Sequence, residues 1–257
     1  MFHMLFDTHA HLTWGDTFQA LPEILKRARE ADVQKIVNIC TDEETLNRGL
    51  EMQEDWIFHA GATTPHDVNE LGEKDFPHFE KAAKEGKLIA IGETGLDYFY
   101  EHSDRAMQKK YLTKYFHLAL ETNLPTIIHC RDAFADLFEI ADHEYRIKGA
   151  PAPCLMHCFT GTWDEAKKAL DRNWPISASG IITFKKSEEL REVIRKVPLS
   201  HLVIETDTPY LAPQKKRGKP NEPALMVETC QCLADLKEIS FEEAAQATFE
   251  NASKFFF

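Results

Sequence analysis

Several short apolar runs in this 257-residue chain end in side chains that bind divalent cations. The first ends Asp7-Thr8-His9-Ala10-His11. Side chains two apart on a strand point the same way, so His9 and His11 can converge on one point. Imidazole suits a borderline metal. A later run ends Ile91-Gly92-Glu93, where a lone buried carboxylate would be costly without a partner. Two successive runs end in His129 and His157, at equivalent places, and the last ends Glu205-Thr206-Asp207, again two carboxylates on one face. Taken singly, each has a plainer explanation: a hydrogen-bonded core histidine, a salt-bridged structural acid, a polar strand end. Taken together, they put ligand-type groups at one rim, and metal-assisted hydrolysis is the chemistry such a rim supports.

The elements that must position these groups alternate regularly. Candidate strands cover 5–9, 35–41, 57–62, 88–94, 125–131, 154–159, 175–181 and 201–207. Amphipathic stretches between and after them predict helices over 17–31, 104–122, 163–171, 187–196, 223–238 and 240–256, with Ser187 as a cap. Eight strands alternating with helices imply right-handed crossovers and a parallel sheet. Closed on itself, that is an α/β fold of the (β/α)8 TIM barrel type, with a parallel eight-stranded core in a single domain over 1–257. An open doubly wound sheet is disfavoured, because no Gly-x-Gly-x-x-Gly turn follows an early strand. Barrel enzymes work at the C-terminal ends of their strands, where these groups fall.

Composition sets outer limits. Hydrophobic residues at 43% and charged residues at 28% suit a globular enzyme. No apolar run reaches membrane-span length, and residues 1–6 are too short for a secretory core, so a cytoplasmic location is expected. The six cysteines do not read as a disulfide framework, and the Cys154/Cys158 and Cys230/Cys232 pairs lack zinc-ribbon spacing. A net charge of −12 argues against a broadly basic coat. It leaves room for an anionic substrate held by local cations.

The strings Asp7-Thr8-His9-Ala10-His11-Leu12, Gly92-Glu93-Thr94-Gly95-Leu96-Asp97, His157-Cys158-Phe159-Thr160-Gly161 and Glu205-Thr206-Asp207-Thr208-Pro209 resemble the motifs of the TatD family of metal-dependent deoxyribonucleases, a branch of the amidohydrolase superfamily. The Asn221-Glu222-Pro223 turn is similar too, and the likeness runs from Asp7 to Asn251. The resemblance implies two divalent ions (Mg, Mn or Zn): one held by His9, His11, Glu93 and Asp207, the other by Glu93, His129 and His157, with Glu93 bridging. It implies a DNA substrate, single-stranded or at 3′ ends, cleaved in the manner of a 3′–5′ exonuclease. Relatives usually carry His-Pro-His at the end of the third strand; here Thr64-Pro65-His66 stands there, which leaves His66 to contact phosphate. The rival activities are hydrolysis of another ester, lactone or amide, common elsewhere in the superfamily, and non-catalytic binding of metal or nucleic acid. A bridging Glu93, where many of those relatives use a carbamoylated lysine, favours the nuclease branch.

Two divalent ions against Glu93 and Asp207 would leave a local charge of about +2, enough to attract phosphate, and would lower the pKa of water toward about 7. Asp207 is the expected acceptor of the water's proton; Glu205 is the second candidate, or a group that orients a ligand. Arg131, two residues beyond His129, can clamp phosphate or pair with Asp132 or Glu139. Lys215, Lys216 and Arg217, in the loop after the last strand, are expected phosphate contacts. Tyr98, Tyr100, Phe159 and Trp163 could stack on bases or pack loops. No membrane is expected as a partner, and a monomer is favoured.

Overall fold

The apolar, β-branched runs form eight parallel strands in one sheet. In the computed structural model, which describes residues 4–257, these are β1 (Leu5–Ala10), β2 (Val33–Cys40), β3 (Ile57–Gly61), β4 (Ala90–Asp97), β5 (Thr126–Arg131), β6 (Cys154–Met156), β7 (Ile176–Ala178) and β8 (Leu202–Ile204). They pair in chain order. The ring closes just beyond β8: Ala10 bridges Thr208, the Asp207 amide donates to the His9 carbonyl at 2.8 Å, and the His11 amide donates to the Thr208 carbonyl at 2.8 Å. This is the expected TIM barrel. The seam also joins the backbone of the first candidate ligands to that of the last.

A plug fills the barrel's lower half. Phe6, Val37, Ala60, Ala90, Ile127, Leu155 and Val203 come from seven of the strands, and Ala252 and Phe256 of the last helix pack with them. On β5 and β6 the alternation then carries upward without interruption, from Ile127 to His129 and from Leu155 to His157. From Val203 the same alternation reaches Glu205 and Asp207. On β1 and β4 the parity from Phe6 and Ala90 would miss His9 and Glu93. There the pairing shifts register, between Asp7 and Ala10 and between Ile91 and Thr94. Such irregularities re-aim the following side chains. Gly95 allows β4 to lie against β5: a Cβ there would sit 1.9 Å from the His129 carbonyl oxygen.

Ten α-helices are present among the described residues: α1 (Gly15–Gln19), α2 (Leu21–Glu30), α3 (Glu43–Leu50), α4 (Gly72–Lys84), α5 (Arg105–Thr122), α6 (Phe134–Glu144), α7 (Trp163–Asp171), α8 (Glu188–Lys196), α9 (Met226–Lys237) and α10 (Phe241–Phe256). The helix expected over 17–31 is broken at Ala20, because Pro22 lacks the amide needed to continue the ladder. That expected over 223–238 opens with a 3₁₀ turn, Pro223–Leu225, before α9. Ser240 caps α10, accepting from the Glu243 amide, whereas Ser187 precedes α8 without a side-chain cap bond. Helices α3, α4 and α6 were not among the expected elements. Strands β6 to β8 are only three residues long, so His157, Glu205 and Asp207 follow their strands rather than lying within them. The six cysteines are free thiols. Among the described residues no helix is long and apolar enough to cross a membrane. The leader reading over 1–6 falls partly on residues 1–3, outside the described residues.

Candidate metal centre

The floor of the barrel mouth holds two groups of donors that share Glu93. In the first, His9 Nε2 lies 3.2 Å from His11 Nε2, 3.3 Å from Glu93 Oε2 and 3.7 Å from Asp207 Oδ1. His11 Nε2 lies 3.7 Å from Glu93 Oε2 and 3.5 Å from Asp207 Oδ1. An ion with four tetrahedral ligands at about 2.1 Å spaces its donors roughly 3.4 Å apart. The observed distances are the edges of such a figure, so the residues fit a cation. In the second group, Glu93 Oε1 lies 3.1 Å from His129 Nδ1 and 3.6 Å from His157 Nε2. Each carboxylate oxygen of Glu93 thus serves a different group.

The electrostatics favour positive charge. Asp7, Glu93, Asp97, Glu205 and Asp207 are all buried around the mouth. Burial drives the His9 imidazole down to about 3, helped by His157, so it is the neutral ring a cation requires. Burial opposes ionisation of Glu93, but His157, His129 and His9 outweigh it and hold the carboxyl well below its usual range. Burial likewise opposes protonation of His157, yet Glu205 and Glu93 overcome it and push the ring up to about 10. The same carboxylates that favour a proton on this ring favour a metal cation beside it.

Behind the donors stand groups that hold them. Asp97 Oδ2 is 2.8 Å from His129 Nε2, which turns Nδ1 toward Glu93. Glu205 is wholly buried, lies 2.9 Å from His157 Nδ1 and does not line the cavity. Of its two expected roles, the orienting one fits this place; a proton acceptor for water needs access that Glu205 lacks. Asp7 accepts from the Thr206 amide at 2.9 Å and hydroxyl at 2.6 Å, tying β1 to the segment that carries Asp207. We expect Glu205→Gln to weaken metal affinity about 10- to 100-fold and to spare most of kcat at saturating metal. Metal titration monitored by activity checks this; unchanged affinity would remove the positioning role.

The donors open into a cavity of ≈ 800 Å³. His66 lines it, with Nε2 3.7 Å from Asp97 Oδ2. Thr64 also lines it and donates its hydroxyl to Asp67 at 3.0 Å. Arg131 stands at the wall, stacked 3.7 Å from the Phe99 ring and 4.9 Å from that of Tyr100. Neither Asp132 nor Glu139 forms an ion pair with it among the described residues.

The remaining candidate residues lie elsewhere. Lys215, Lys216 and Arg217 do not line the cavity: they sit on an exposed loop, where Lys215 pairs with Glu228 at 2.7 Å and Arg217 lies over Phe184. Tyr98 donates its hydroxyl to Asp136 at 2.6 Å, Phe159 is buried against Phe134, and Trp163 is half-buried under Lys196, so these three pack loops. Tyr100 does reach the cavity. Sequence reasoning missed the roles of Asp7 and Asp97, although each is an acid placed beside a ligand string. It also missed Trp14 and Tyr210, which line the cavity from loops that no periodicity describes.

A closed barrel with shared imidazole and carboxylate groups at its C-terminal mouth is the build of a metal-dependent hydrolase. Comparison with known proteins narrows this. The chain belongs to the TatD family, since the family model described as TatD related DNase matches residues 6–257. It is 40% identical over 256 residues to the uncharacterized metal-dependent hydrolase YabD of Bacillus subtilis, covering 98% of this chain and 99% of that one. It is 36% identical over 262 residues to the uncharacterized metal-dependent hydrolase YcfH of Escherichia coli K12, covering 98% and 95%. The crystal structure of YjjV, a TatD homolog from Escherichia coli K12, superposes with a TM-score of 0.91 at 26% identity, covering 100% of this chain and 99% of that one.

Proposed function

We propose that this protein is a deoxyribonuclease that hydrolyses phosphodiester bonds at the 3′ ends of single-stranded DNA with the help of divalent ions, which His9, His11, Glu93 and Asp207 on one side and Glu93, His129 and His157 on the other would hold. The observation that carries the reading is the division of Glu93, one oxygen to each donor group, beneath a cavity walled by Arg131. Paired ions held this way suit in-line displacement at phosphorus. When bound, they supply Lewis acidity and make water a nucleophile at neutral pH. The family description, TatD related DNase, supports the same substrate class.

The chain's own residues do the rest. His9, His11 and Asp207 hold one pole, and His129 and His157 the other. Asp207, at the cavity edge, accepts the proton of the attacking water. Glu205 and Asp97 keep His157 and His129 in place. Arg131 and His66 line the cavity and are the groups that would bind the non-bridging oxygens of the phosphate. The loop carrying Lys215, Lys216 and Arg217 lies outside the cavity and serves the strand beyond the cleaved bond.

A 5′-labelled single-stranded oligonucleotide tests the reading. With Mg or Mn it should shorten progressively from its 3′ end, and EDTA should stop the reaction. No release from DNA or RNA, combined with turnover of lactones or amides, overturns the proposal. Neutralising Lys215, Lys216, Arg217 and Lys219 with glutamines should weaken DNA binding. It should also flatten the dependence on log salt by roughly 0.7 for each phosphate that is no longer neutralised. Binding that is unchanged across salt removes the loop from the substrate path.

A further inference from the structure

Eight large hydrophobic side chains remain exposed among the described residues, and three of them, Trp14, Tyr100 and Tyr210, line the cavity above the donors. Solvent-facing aromatic surface concentrated at a site marks a contact with a ligand. The three are not equivalent. Tyr100 is already engaged by its own chain: it stacks on His102 at 5.4 Å and 8°, with the Arg131 guanidinium 4.9 Å from its ring. Trp14 and Tyr210 are 44% and 46% exposed, and their rings lie 5.9 Å apart at 45°. Tyr210 in turn lies 6.0 Å from His11. A line of rings therefore runs outward from one pole of the donor set.

The two rings are carried on anchored backbone. Tyr210 donates its amide to the Asp207 carbonyl at 2.7 Å, and its own carbonyl accepts from Asn221 Nδ2 at 2.8 Å. Trp14 directly precedes α1. Trp56 and Trp174 are buried and donate their indole N–H groups to Glu54 and to the Ala152 carbonyl. The Trp14 indole makes no hydrogen bond among the described residues. Its ring faces Tyr210 and the cavity.

We infer that Trp14 and Tyr210 form a stacking subsite for a nucleobase next to the cleaved phosphodiester. The inference rests on the nuclease reading and deepens it. A base attached to a phosphate seated over Glu93 and Asp207 reaches this wall through its sugar. Its flat face can stack on one of the two rings while the other, tilted 45° to it, closes the side of the subsite, as aromatic platforms do at single-strand binding surfaces. Stacking of this kind accepts any base, so the subsite sets affinity and register rather than sequence preference.

Oligonucleotides that carry a single abasic (tetrahydrofuran) residue at the terminal, penultimate or third position from the 3′ end test this. At one of these positions the wild-type protein should show a KM raised roughly tenfold or more. Trp14→Ala should raise KM on intact DNA by a similar factor and erase the further penalty of the abasic residue, and Trp14→Phe should restore most of it. A full abasic penalty persisting in both Trp14→Ala and Tyr210→Ala overturns the subsite. A second readout needs no turnover: tryptophan emission of the metal-replete protein, titrated with a hydrolysis-resistant phosphorothioate strand. Quenching by the intact strand but not by its abasic counterpart, lost in Trp14→Phe, supports the subsite even if no DNA is cleaved. That outcome would count against the nuclease reading alone. DNA cleavage with no abasic penalty at any position and no quenching overturns the subsite and leaves the nuclease reading standing.

Discussion

Glu93→Gln is expected to reduce kcat about a thousandfold or more, equivalent to about 4 kcal/mol of transition-state stabilisation, and to lower the bound metal per chain. The native carboxylate places Oε1 3.1 Å from His129 Nδ1 and Oε2 3.3 Å from His9 Nε2, so each donor group depends on a different oxygen. An amide has one oxygen to offer; its NH2 donates and cannot ligate. Whichever way the Gln side chain turns, one group loses a member. The shape of the side chain is conserved, so the barrel should remain folded by circular dichroism, with a lower melting temperature in the presence of chelator because the buried histidines lose a carboxylate partner. Elemental analysis and single-turnover kinetics on the same preparation check both halves. Full metal content together with wild-type kcat would sink the bridging assignment, and the two-ion proposal with it.

Asp207→Asn is expected to lower kcat about 10²- to 10⁴-fold while most of the metal is retained. Asp207 adopts φ +61°, a left-handed conformation that Asn tolerates well, so its backbone bonds to His9 and Tyr210 should survive. The Asn side chain keeps an oxygen that can face the donor group, where Asp207 Oδ1 stands 3.5 Å from His11 Nε2. What it loses is the capacity to accept a proton. Glu205→Gln, by contrast, should act mainly on metal affinity. The two substitutions therefore separate proton transfer from ligand orientation. Wild-type kcat in Asp207→Asn with metal bound would falsify the base assignment.

The barrel was legible because eight apolar runs, spaced by amphipathic stretches, admit few other closed arrangements. The ligand candidates were legible because imidazoles and carboxylates are costly at the end of an apolar strand unless something pairs with them. Simple alternation carried that argument correctly along β5 and β6, where His129 and His157 stand two residues above the interior Ile127 and Leu155. It did not carry it along β1 and β4. The interior parity set by Phe6 and Ala90 would turn His9 and Glu93 away from the mouth, and only the register shifts in those strands bring them in. A bulge depends on how two strands pair, which neither strand's own residues state.

Loop residues divide in the same way. The basic run at 214–219 is plain in the sequence, but its distance from the cavity is not. Trp14 and Tyr210 follow no periodic pattern, and they become neighbours only because the barrel closes between β1 and β8. By itself, then, the chain determined its architecture and the kinds of group at the rim, since both follow from local patterns of polarity. The tertiary structure decided which nitrogen or oxygen faces which neighbour, that Glu205 stands behind His157 rather than in the cavity, and which aromatic rings remain open. Those outcomes depend on strand register and ring closure, which join residues as far apart as Asp7 and Thr206.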